Sequence, residues 1–321
     1  MAADLRGKVV IVTGAGQPVS IGRAHALRFA EEGAKVVVND NGSELSGEGA
    51  DASLAEAVAR EIRDLGGEAV ASTESVATDE GAAAIVETAI DSFGSIDFLV
   101  NNAGNNRANL IFEAEDADFD ALINVHLRGA YNMIRKVIPH MMKQRSGVII
   151  NTSSTAGLGM YGNSIYAAAK EGIIGLTRSI ARDLGPYGIR VNAIRPGAMS
   201  RQRASAKAVV HAREAEETYG FPTVWNQRIL NSLVTDVDEK LDVDLSPRHI
   251  SNMVVWLCTG AASNVNGRTF RISGGEIGLM SDPEQTRTIF SDKGWNLEEL
   301  DAPGVRNFLI GGLTNEFLPK A

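Results

Sequence analysis

The sequence predicts an α/β fold in which one doubly wound, seven-stranded parallel sheet is covered by helices on both faces. Three observations carry this prediction. Short runs rich in β-branched residues recur along the chain, each is apolar enough to be buried on both faces, and each gap between them has room for a helix. A strand, its covering helix and the next parallel strand form a right-handed unit, and repetition of that unit gives the doubly wound sheet.

Seven runs are assigned to strands. In chain order they are KVVIVT from residue 8, AKVVVN from 34, EAVAS from 68, IDFLVN from 96, GVIINT from 147, IRVNAI from 189 and RTFRIS from 268. The longest helices are expected at about residues 116–143 and 165–184.

Two segments depart from this rhythm. Residues 201–245 follow the sixth strand and are too long for a simple connection, which is typical of a lid or substrate loop, with a helical decoration as the alternative. Residues 281–321 carry no readable motif and are expected to wrap on the domain or on a neighbouring subunit. The predicted organisation is one domain over residues 1–280, including the insertion, followed by the extension.

Composition excludes several classes of protein. The 321 residues carry a net charge of −9 without a basic block, which argues against nucleic-acid binding. Cys258 is the single cysteine, so an internal disulfide and a thiolate metal cluster are excluded, and no metal is expected. No apolar run is long enough to cross a bilayer and the first residues do not resemble a signal peptide, so we expect a soluble cytoplasmic protein without membrane association.

The stretch VTGAGQPVSIGRAHAL, residues 12–27, has the strand, glycine and helix order of a dinucleotide-binding loop. Gly14 and Gly16 stand where backbone must approach a pyrophosphate. Before Gly22, however, the loop is two residues longer than usual, Pro18 offers no N–H, and Ser20 replaces the middle glycine. A modified cofactor cradle and a plain glycine-rich turn are both open from this stretch alone.

The second strand ends in Asp40, which points to the cofactor. A carboxylate at this position accepts hydrogen bonds from an adenosine ribose and repels a 2′-phosphate. No arginine or lysine follows in NDNGSELSGEG to hold that phosphate, so we predict NAD over NADP. The alternative is an acid that caps the turn before Gly42.

Tyr166 and Lys170 lie four residues apart in an alanine-rich helical stretch and share one helix face. A phenol with a pKa near ~10 is a poor base, but a neighbouring ammonium and an oxidised nicotinamide both favour phenolate. Upstream, IINTSS places a serine hydroxyl at the carboxyl edge of the sheet, where it can hold a reacting oxygen. This set is suited to removing a proton from an alcohol while hydride leaves the same carbon.

From Lys8 to about Met280 the sequence resembles the classical short-chain dehydrogenase/reductase family in four motifs, which are VTGAG, NNAG, YAAAK and RPG. The resemblance implies a Rossmann-type fold and a homotetramer that pairs the two long helices. It also implies cofactor contacts in several places. These are Gly14, Gly16, Ser20, Ile21, Asp40, Ser75, Val76, Asn102, Ala103, Gly104, Tyr166, Lys170, Pro196, Gly197 and Met199, with Ala198 beside the nicotinamide.

Within that family the sequence is similar to dehydrogenase domains of the multifunctional enzyme type 2, or 17β-hydroxysteroid dehydrogenase type 4, group. The shared stretches are VVVNDNG, EIRDLGGEAVA, VHLRGAY and WLCTG. The similarity implies oxidation of (3R)-hydroxyacyl-CoA thioesters or steroid hydroxyls.

Three departures leave alternatives open. Alignment from the strand selects Ser154 as the catalytic serine, whereas counting back from the tyrosine selects Ser153, and strand geometry favours Ser154. The position of the family's tetrad asparagine falls on His126, with Asn124 two residues earlier, and either could instead be an ordinary polar group of a helix. The Ser20–Ile21 pair resembles the divergent enoyl-reductase branch, although that branch spaces its tyrosine and lysine more widely.

Positive charge is concentrated near the predicted cleft, at Arg190, Arg195, Arg201, Arg203, Lys207 and Arg213. This cluster favours an anionic substrate such as a CoA thioester, and a solvated face balanced by the acidic run at 214–244 is the alternative. An apolar lid face is predicted nearby at Phe221, Trp225, Ile229 and Leu230, with core packing as its alternative.

The sequence therefore predicts an NAD-dependent oxidoreductase that interconverts a secondary alcohol and a ketone on a large apolar substrate of hydroxyacyl-CoA, steroid or terpenoid type. Tyr166 is the expected acid and base, Lys170 lowers its pKa and holds the ribose, and Ser154 holds the reacting oxygen. An enoyl thioester reductase and a non-catalytic nucleotide-binding subunit are the competing functions.

Overall fold

The computed structural model describes residues 5–160, 162–198 and 244–313, and these form one sheet with helices on both faces. The strands of this sheet are β1 Val9–Thr13, β2 Lys35–Asn39, β3 Glu68–Ser72, β4 Phe98–Asn101, β5 Gly147–Thr152, β6 Ile189–Gly197, β7 Thr269–Ser273 and β8 Glu276–Leu279. Their spatial order is β3-β2-β1-β4-β5-β6-β7-β8. The chain reverses direction across the sheet between β1 and β4, as a doubly wound fold requires.

The seven predicted strands are confirmed, and each pair among them runs parallel. The prediction of seven strands was nevertheless one too few. β8 pairs antiparallel with β7, with Phe270 opposite Leu279 and Ser273 opposite Glu276. Its four residues, EIGL, are mostly exposed, so the sequence lacks the apolar run that identifies a buried strand.

The helices that cover the sheet are α1 Ile21–Glu31, α2 Ser53–Asp64, α3 Asp79–Phe93, α4 Asp116–Ile123, α5 Gly129–Gln144, α6 Ser164–Leu184 and α7 Pro247–Leu257. These helices pack into two apolar cores, one on each face of the sheet. One core joins α1, α2 and α7 to the sheet, and the other joins α3, α5 and α6 to the opposite face. Val9 to Val12 of β1 are fully buried and alternate between these cores, and each such side chain contributes about 1.5–3 kcal/mol when fully buried.

The helix expected at about 116–143 is interrupted. α4 ends at Ile123, a π-helical segment covers Asn124–Arg128, and α5 begins at Gly129. π-helical turns add one residue to a turn and are frequent at functional sites. Here the extra residue lies beside the carboxyl edge of the sheet, where the candidate catalytic side chains meet.

The insertion predicted at 201–245 lies outside the described residues, apart from its last two. Its proposed lid residues, Phe221, Trp225, Ile229 and Leu230, therefore lie outside them as well. The extension forms two short helices, α8 Leu297–Asp301 and α9 Pro303–Ile310, and the Arg287 guanidinium donates to carbonyls at the end of α9. Large apolar side chains on this extension are exposed, including Phe290 and Leu297. Over the described ranges, no helix is long and apolar enough to span a membrane.

Candidate active site

The loop between β1 and α1 is closed by glycines that leave no room for a side chain. Gly14 has a φ of +66°, and a Cβ there would lie 2.6 Å from the Cα of Ala103. A Cβ on Gly22 would lie 2.1 Å from the carbonyl oxygen of Gly14, and one on Gly16 would lie 2.8 Å from the Asp40 Cβ. The glycines therefore hold this loop against β2, α2 and the chain that follows β4.

Ser20 explains why the loop does without a middle glycine. It adopts extended backbone with φ −147° and is the N-cap of α1, where its hydroxyl accepts from the Arg23 N–H at 3.0 Å. The hydroxyl also donates to the Gln17 carbonyl at 3.0 Å. An extended residue needs no glycine, and a capped helix start leaves the dipole of α1 directed at this end of the sheet. Ile21 is the first residue of the helix, so the loop fits the pyrophosphate of a dinucleotide.

Asp40 caps the turn before Gly42, which is one of the two alternatives that the sequence left open, and it also holds the glycine loop. Its Oδ1 accepts from the Gly42 N–H at 2.8 Å, which caps the turn, and its Oδ2 accepts from the Gly16 N–H at 2.8 Å, in the glycine loop. The residue is only 7% exposed. Because an ionised carboxylate accepts about four hydrogen bonds, these two leave capacity for ribose hydroxyls.

The chain after β4 is locked to the end of β1. The Thr13 hydroxyl accepts from the N–H groups of Asn102 and Ala103, both at 3.0 Å, and the Asn102 side chain donates to the carbonyls of Thr13 and Gly14. Asn102 thus orients the carbonyls of the glycine loop. The sequence motifs did not identify Thr13 as a site residue, although its position at the end of β1 indicates one.

Ser75 and Val76, which follow β3, lie at the same edge. The Ser75 hydroxyl accepts from the Ala77 N–H at 3.2 Å. The Val76 carbonyl accepts from the Asn132 side chain of α5 at 3.1 Å, and the Val76 side chain lines a small cavity shared with Thr13 and Lys170. This arrangement brings the segment after β3 to the same cavity as Thr13 and Lys170.

The two candidate serines have different surroundings. The Ser153 hydroxyl is buried and donates to the Lys170 carbonyl at 2.8 Å, inside the protein. The Ser154 hydroxyl accepts from the Ala156 N–H at 3.1 Å and is hydrogen-bonded to the Tyr166 phenol. Of the two, Ser154 has the geometry for holding a reacting oxygen beside Tyr166.

Lys170 lies behind Tyr166 on α6, as the spacing predicts. Its ammonium is 5.5 Å from the centre of the Tyr166 ring and donates to the Thr152 carbonyl at 2.8 Å. Burial lowers the pKa of Lys170 to about 7, because the interior disfavours the charged form. Lys170 is therefore anchored to the last residue of β5, which the sequence motifs did not single out.

Burial raises the pKa of the Tyr166 phenol to about 12, and the hydrogen bond from Ser154 acts in the opposite direction. Burial is the larger of these two effects, and lowering of the pKa by Lys170 stays a prediction. Tyr166 is consequently a protonated phenol at neutral pH in this structure.

His126 faces the catalytic helix, and its role in place of the family's tetrad asparagine stays a prediction. Its imidazole is buried, meets the Tyr166 ring edge to face at a centroid distance of 5.0 Å, and Nε2 bonds to the Asn105 carbonyl at 2.9 Å. Nε2 must carry the proton in that bond, which leaves Nδ1 as an acceptor. Burial, with a smaller effect of the Lys170 charge, holds the pKa of His126 well below its usual value, so the ring is neutral.

Gly104 and the end of β6 also lie at the carboxyl edge of the sheet. A Cβ on Gly104 would lie 2.5 Å from the His126 ring, so this glycine gives the imidazole its space. Pro196 and Gly197 end β6 in register with Ile272 and Ser273, and Ala198 is buried beyond them. Met199 lies outside the described residues.

Two members of the predicted arginine cluster are bound inside the protein. The Arg190 guanidinium donates to the carbonyls of Leu257, Thr259 and Val265, around the end of α7. Arg195 is 4% exposed, and its guanidinium donates to the Ser154 carbonyl and to the Glu171 carboxylate. Neither is free to bind a substrate anion, which corrects that part of the prediction. The other four cations, Arg201, Arg203, Lys207 and Arg213, lie outside the described residues.

Cys258 is buried, and burial raises the pKa of its thiol to about 12, so it is an unreactive thiol of the core. Among the described residues, no group of histidine, cysteine and acidic side chains is placed to hold a metal ion.

A doubly wound sheet whose carboxyl edge combines a glycine loop at a helix start with a serine, a tyrosine and a lysine defines a nucleotide-dependent oxidoreductase. The family model for short chain dehydrogenases matches residues 8–209, and the chain belongs to this family.

Similar proteins agree with this assignment. A crystal structure of a short chain dehydrogenase from Mycobacterium avium is 37% identical, covers 98% of both chains and superposes with a TM-score of 0.76. A structure of 7α-hydroxysteroid dehydrogenase complexed with NADH and 7-oxo glycochenodeoxycholic acid is 31% identical, covers 84% of this chain and 94% of that one, and has a TM-score of 0.66. The mouse peroxisomal multifunctional enzyme type 2 is 39% identical over 87% of this chain, which spans only 34% of that enzyme.

Proposed function

We propose that this protein is an NAD-dependent dehydrogenase that interconverts a secondary alcohol and a ketone on a large apolar substrate of hydroxyacyl-CoA, steroid or terpenoid type. The observation that carries the proposal is the contact of Ser154 with Tyr166, with the Lys170 ammonium 5.5 Å from the Tyr166 ring. NAD supplies the hydride acceptor when it is bound.

In the proposed reaction, the Tyr166 phenol moves the proton of the substrate oxygen and Ser154 orients that oxygen. Because burial raises the pKa of Tyr166 to about 12, the phenol is protonated at neutral pH and holds the proton that ketone reduction needs. Alcohol oxidation needs the phenolate, and both the Ser154 hydrogen bond and a charged Lys170 favour it. His126 stays neutral and supports the Tyr166 ring from its edge.

The choice of NAD over NADP rests on Asp40. No cation follows it in residues 41–50, and Arg107, which reaches this loop, donates to the Ser46 carbonyl and pairs with Glu48 and Asp118. The related 7α-hydroxysteroid dehydrogenase was solved with NADH, which supports the same choice.

The substrate class rests on similarity and on the neutral character of the described site. The related steroid enzyme was solved with 7-oxo glycochenodeoxycholic acid, a steroid ketone that also carries an acid group, and the resemblance to the multifunctional enzymes implies an acyl thioester. With Arg190 and Arg195 bound internally, the predicted cations that are left for a CoA phosphate are Arg201, Arg203, Lys207 and Arg213.

Assembly into a homotetramer through the α4–α5 and α6 surfaces is part of this proposal. Phe119 on α4 and Tyr131 on α5 are 51% and 45% exposed in the single chain, as expected of side chains that a partner covers. The apolar side chains of the extension would contact a neighbouring subunit in the same way. Light scattering coupled to size exclusion tests the subunit number.

The deciding experiment measures NADH formation from NAD with three substrate groups, which are 3-hydroxyacyl-CoA thioesters, hydroxysteroids and terpene alcohols. Tyr166→Phe should reduce turnover by more than about a thousandfold while NADH binding, followed by fluorescence, stays within twofold. Turnover that survives in Tyr166→Phe would contradict the assigned role. NADH consumption with an enoyl thioester, without alcohol oxidation, would instead establish an enoyl reductase.

A further inference from the structure

Arg195 is a buried cation that the proposed chemistry does not use. It lies on β6 immediately before Pro196 and is 4% exposed. A buried guanidinium is costly unless it is hydrogen-bonded. Nε of Arg195 has no partner among the described residues, so the partners of its two Nη arms report what the residue does. One arm, Nη1, donates to the main-chain carbonyl of Ser154, and the other, Nη2, donates to Oε1 of Glu171.

These contacts join β6 to the two segments that carry the catalytic side chains. Ser154 lies in the loop after β5, Glu171 directly follows Lys170 on α6, and Arg195 lies on β6. The planar fork of an arginine fixes the angle between two acceptors, which a lysine cannot do. The ion pair therefore sets the position of the Ser154 backbone relative to the helix that carries Tyr166 and Lys170.

The turn after Ser154 packs directly on this ion pair. A Cβ on Gly157 would lie 2.7 Å from Oε1 of Glu171 and 3.0 Å from Nη1 of Arg195. The Gly157 N–H also donates to the Ser154 carbonyl at 3.3 Å, so that carbonyl accepts from both the turn and the arginine. The Ser154 hydroxyl is in turn held by the Ala156 N–H, inside the same turn.

We propose that Arg195, held by Glu171, is a positioning residue that fixes the Ser154 hydroxyl against Tyr166. Arg195 acts through the Ser154 backbone and does not touch the reacting atoms. This inference rests on the proposed function for its kinetic consequence, but its structural consequence can be measured without a substrate.

The kinetic test is a double-mutant cycle between Arg195→Met and Ser154→Ala. Arg195→Met should lower kcat by about tenfold to a hundredfold, because misplacing a catalytic group by about 1 Å costs rates of that order. NADH binding should stay within twofold. In the Ser154→Ala background the same change should cost less than about twofold, since there is no hydroxyl left to position. Equal losses in both backgrounds would overturn the proposal.

Two conservative variants keep the test valid if Arg195→Met folds poorly. Arg195→Lys keeps the charge but loses the fork, and Glu171→Gln keeps the shape but removes the anion. Both should give intermediate losses in kcat with little change in the KM for NAD. A matched control is Arg271→Met, since Arg271 is the register partner of Arg195 on β7 and pairs with the half-exposed Glu276 instead of the site. It should leave kcat unchanged.

Hydrogen exchange of residues 153–160 tests the same proposal without turnover. In Arg195→Met the amides of Ala156, Gly157 and Gly159 should exchange at least about tenfold faster, because the turn loses its anchor, while Arg271→Met should leave them unchanged. Unchanged exchange in Arg195→Met would overturn the positioning role. If the wild-type protein oxidises no alcohol, the proposed function fails, and the exchange result still decides whether Arg195 anchors the turn.

Discussion

Asp40 gives the sharpest prediction, because the same carboxylate stabilises the loop and is expected to select the cofactor. Asp40→Asn keeps the size of the side chain but leaves only one acceptor oxygen for the N–H groups of Gly16 and Gly42, each now 2.8 Å from the carboxylate. A hydrogen bond to a charged group contributes about 1.5–3 kcal/mol, and a buried donor left unpaired adds a comparable cost. We expect the free energy of unfolding to fall by about 2–4 kcal/mol.

The effect of Asp40→Asn on the preference between NAD and NADP follows from Coulomb's law. At about 5 Å and an effective dielectric constant of about 20, a carboxylate and one unit of phosphate charge repel by about 3 kcal/mol. Removing the carboxylate charge should therefore improve kcat/KM for NADP relative to NAD by roughly a hundredfold. Loss of hydrogen bonds to the ribose should also weaken NAD binding.

The assays are urea unfolding and initial rates with each cofactor. Asp51→Asn is the matched control, since this exposed acid in the same segment accepts hydrogen bonds from Ser53 and lies outside the glycine loop, so both readouts should change little. A loss of stability in Asp40→Asn without a change in the NAD to NADP ratio would show that Asp40 only caps the turn, and would refute the argument for cofactor selection.

Three further outcomes are expected. Burial lowers the pKa of His25 to about 3, so the unfolded state takes up the proton first as pH falls below 6.5. Between pH 6.5 and 5, the free energy of unfolding measured in urea should therefore fall by about 2 kcal/mol more for the wild type than for His25→Gln. Arg190→Met should lower the unfolding free energy by about 3 kcal/mol through loss of its carbonyl partners, and an altered preference between CoA thioesters and neutral alcohols would contradict its structural role. Gly22→Ala would place a Cβ 2.1 Å from the Gly14 carbonyl and should abolish NADH fluorescence enhancement, whereas Gly175→Ala, in open space on α6, should be neutral or slightly stabilising.

The strands and the catalytic helix could be predicted because their signals are local. Buried parallel strands are short apolar runs, and the four-residue spacing of Tyr166 and Lys170 fixes a shared helix face. β8 could not be predicted, because an exposed four-residue edge strand has neither an apolar run nor alternation.

The choice between Ser153 and Ser154 needed the structure for another reason. Adjacent residues of extended chain point in opposite directions, so a slip of one residue exchanges the buried hydroxyl for the one beside Tyr166. The roles of Arg190 and Arg195 were likewise hidden, because a sequence shows a charge but not the carbonyls that surround it. The break at Asn124–Arg128 places His126 against Gly104, which lies 22 positions earlier by number, and no local pattern announces such a contact.

The π-helical segment has a consequence for how this part of the chain can vary. One additional residue in a turn rotates everything after it by about 100° relative to everything before it. The faces of α4 and α5 are therefore out of phase, so α4 packs toward the loop after β4 while α5 packs on the sheet. A deletion of one residue within 124–128 would restore continuous α-helix, turn His126 away from Tyr166 and bring the polar face of α5 against the core. Length in this short stretch is consequently as constrained as residue identity, even where individual side chains are exposed.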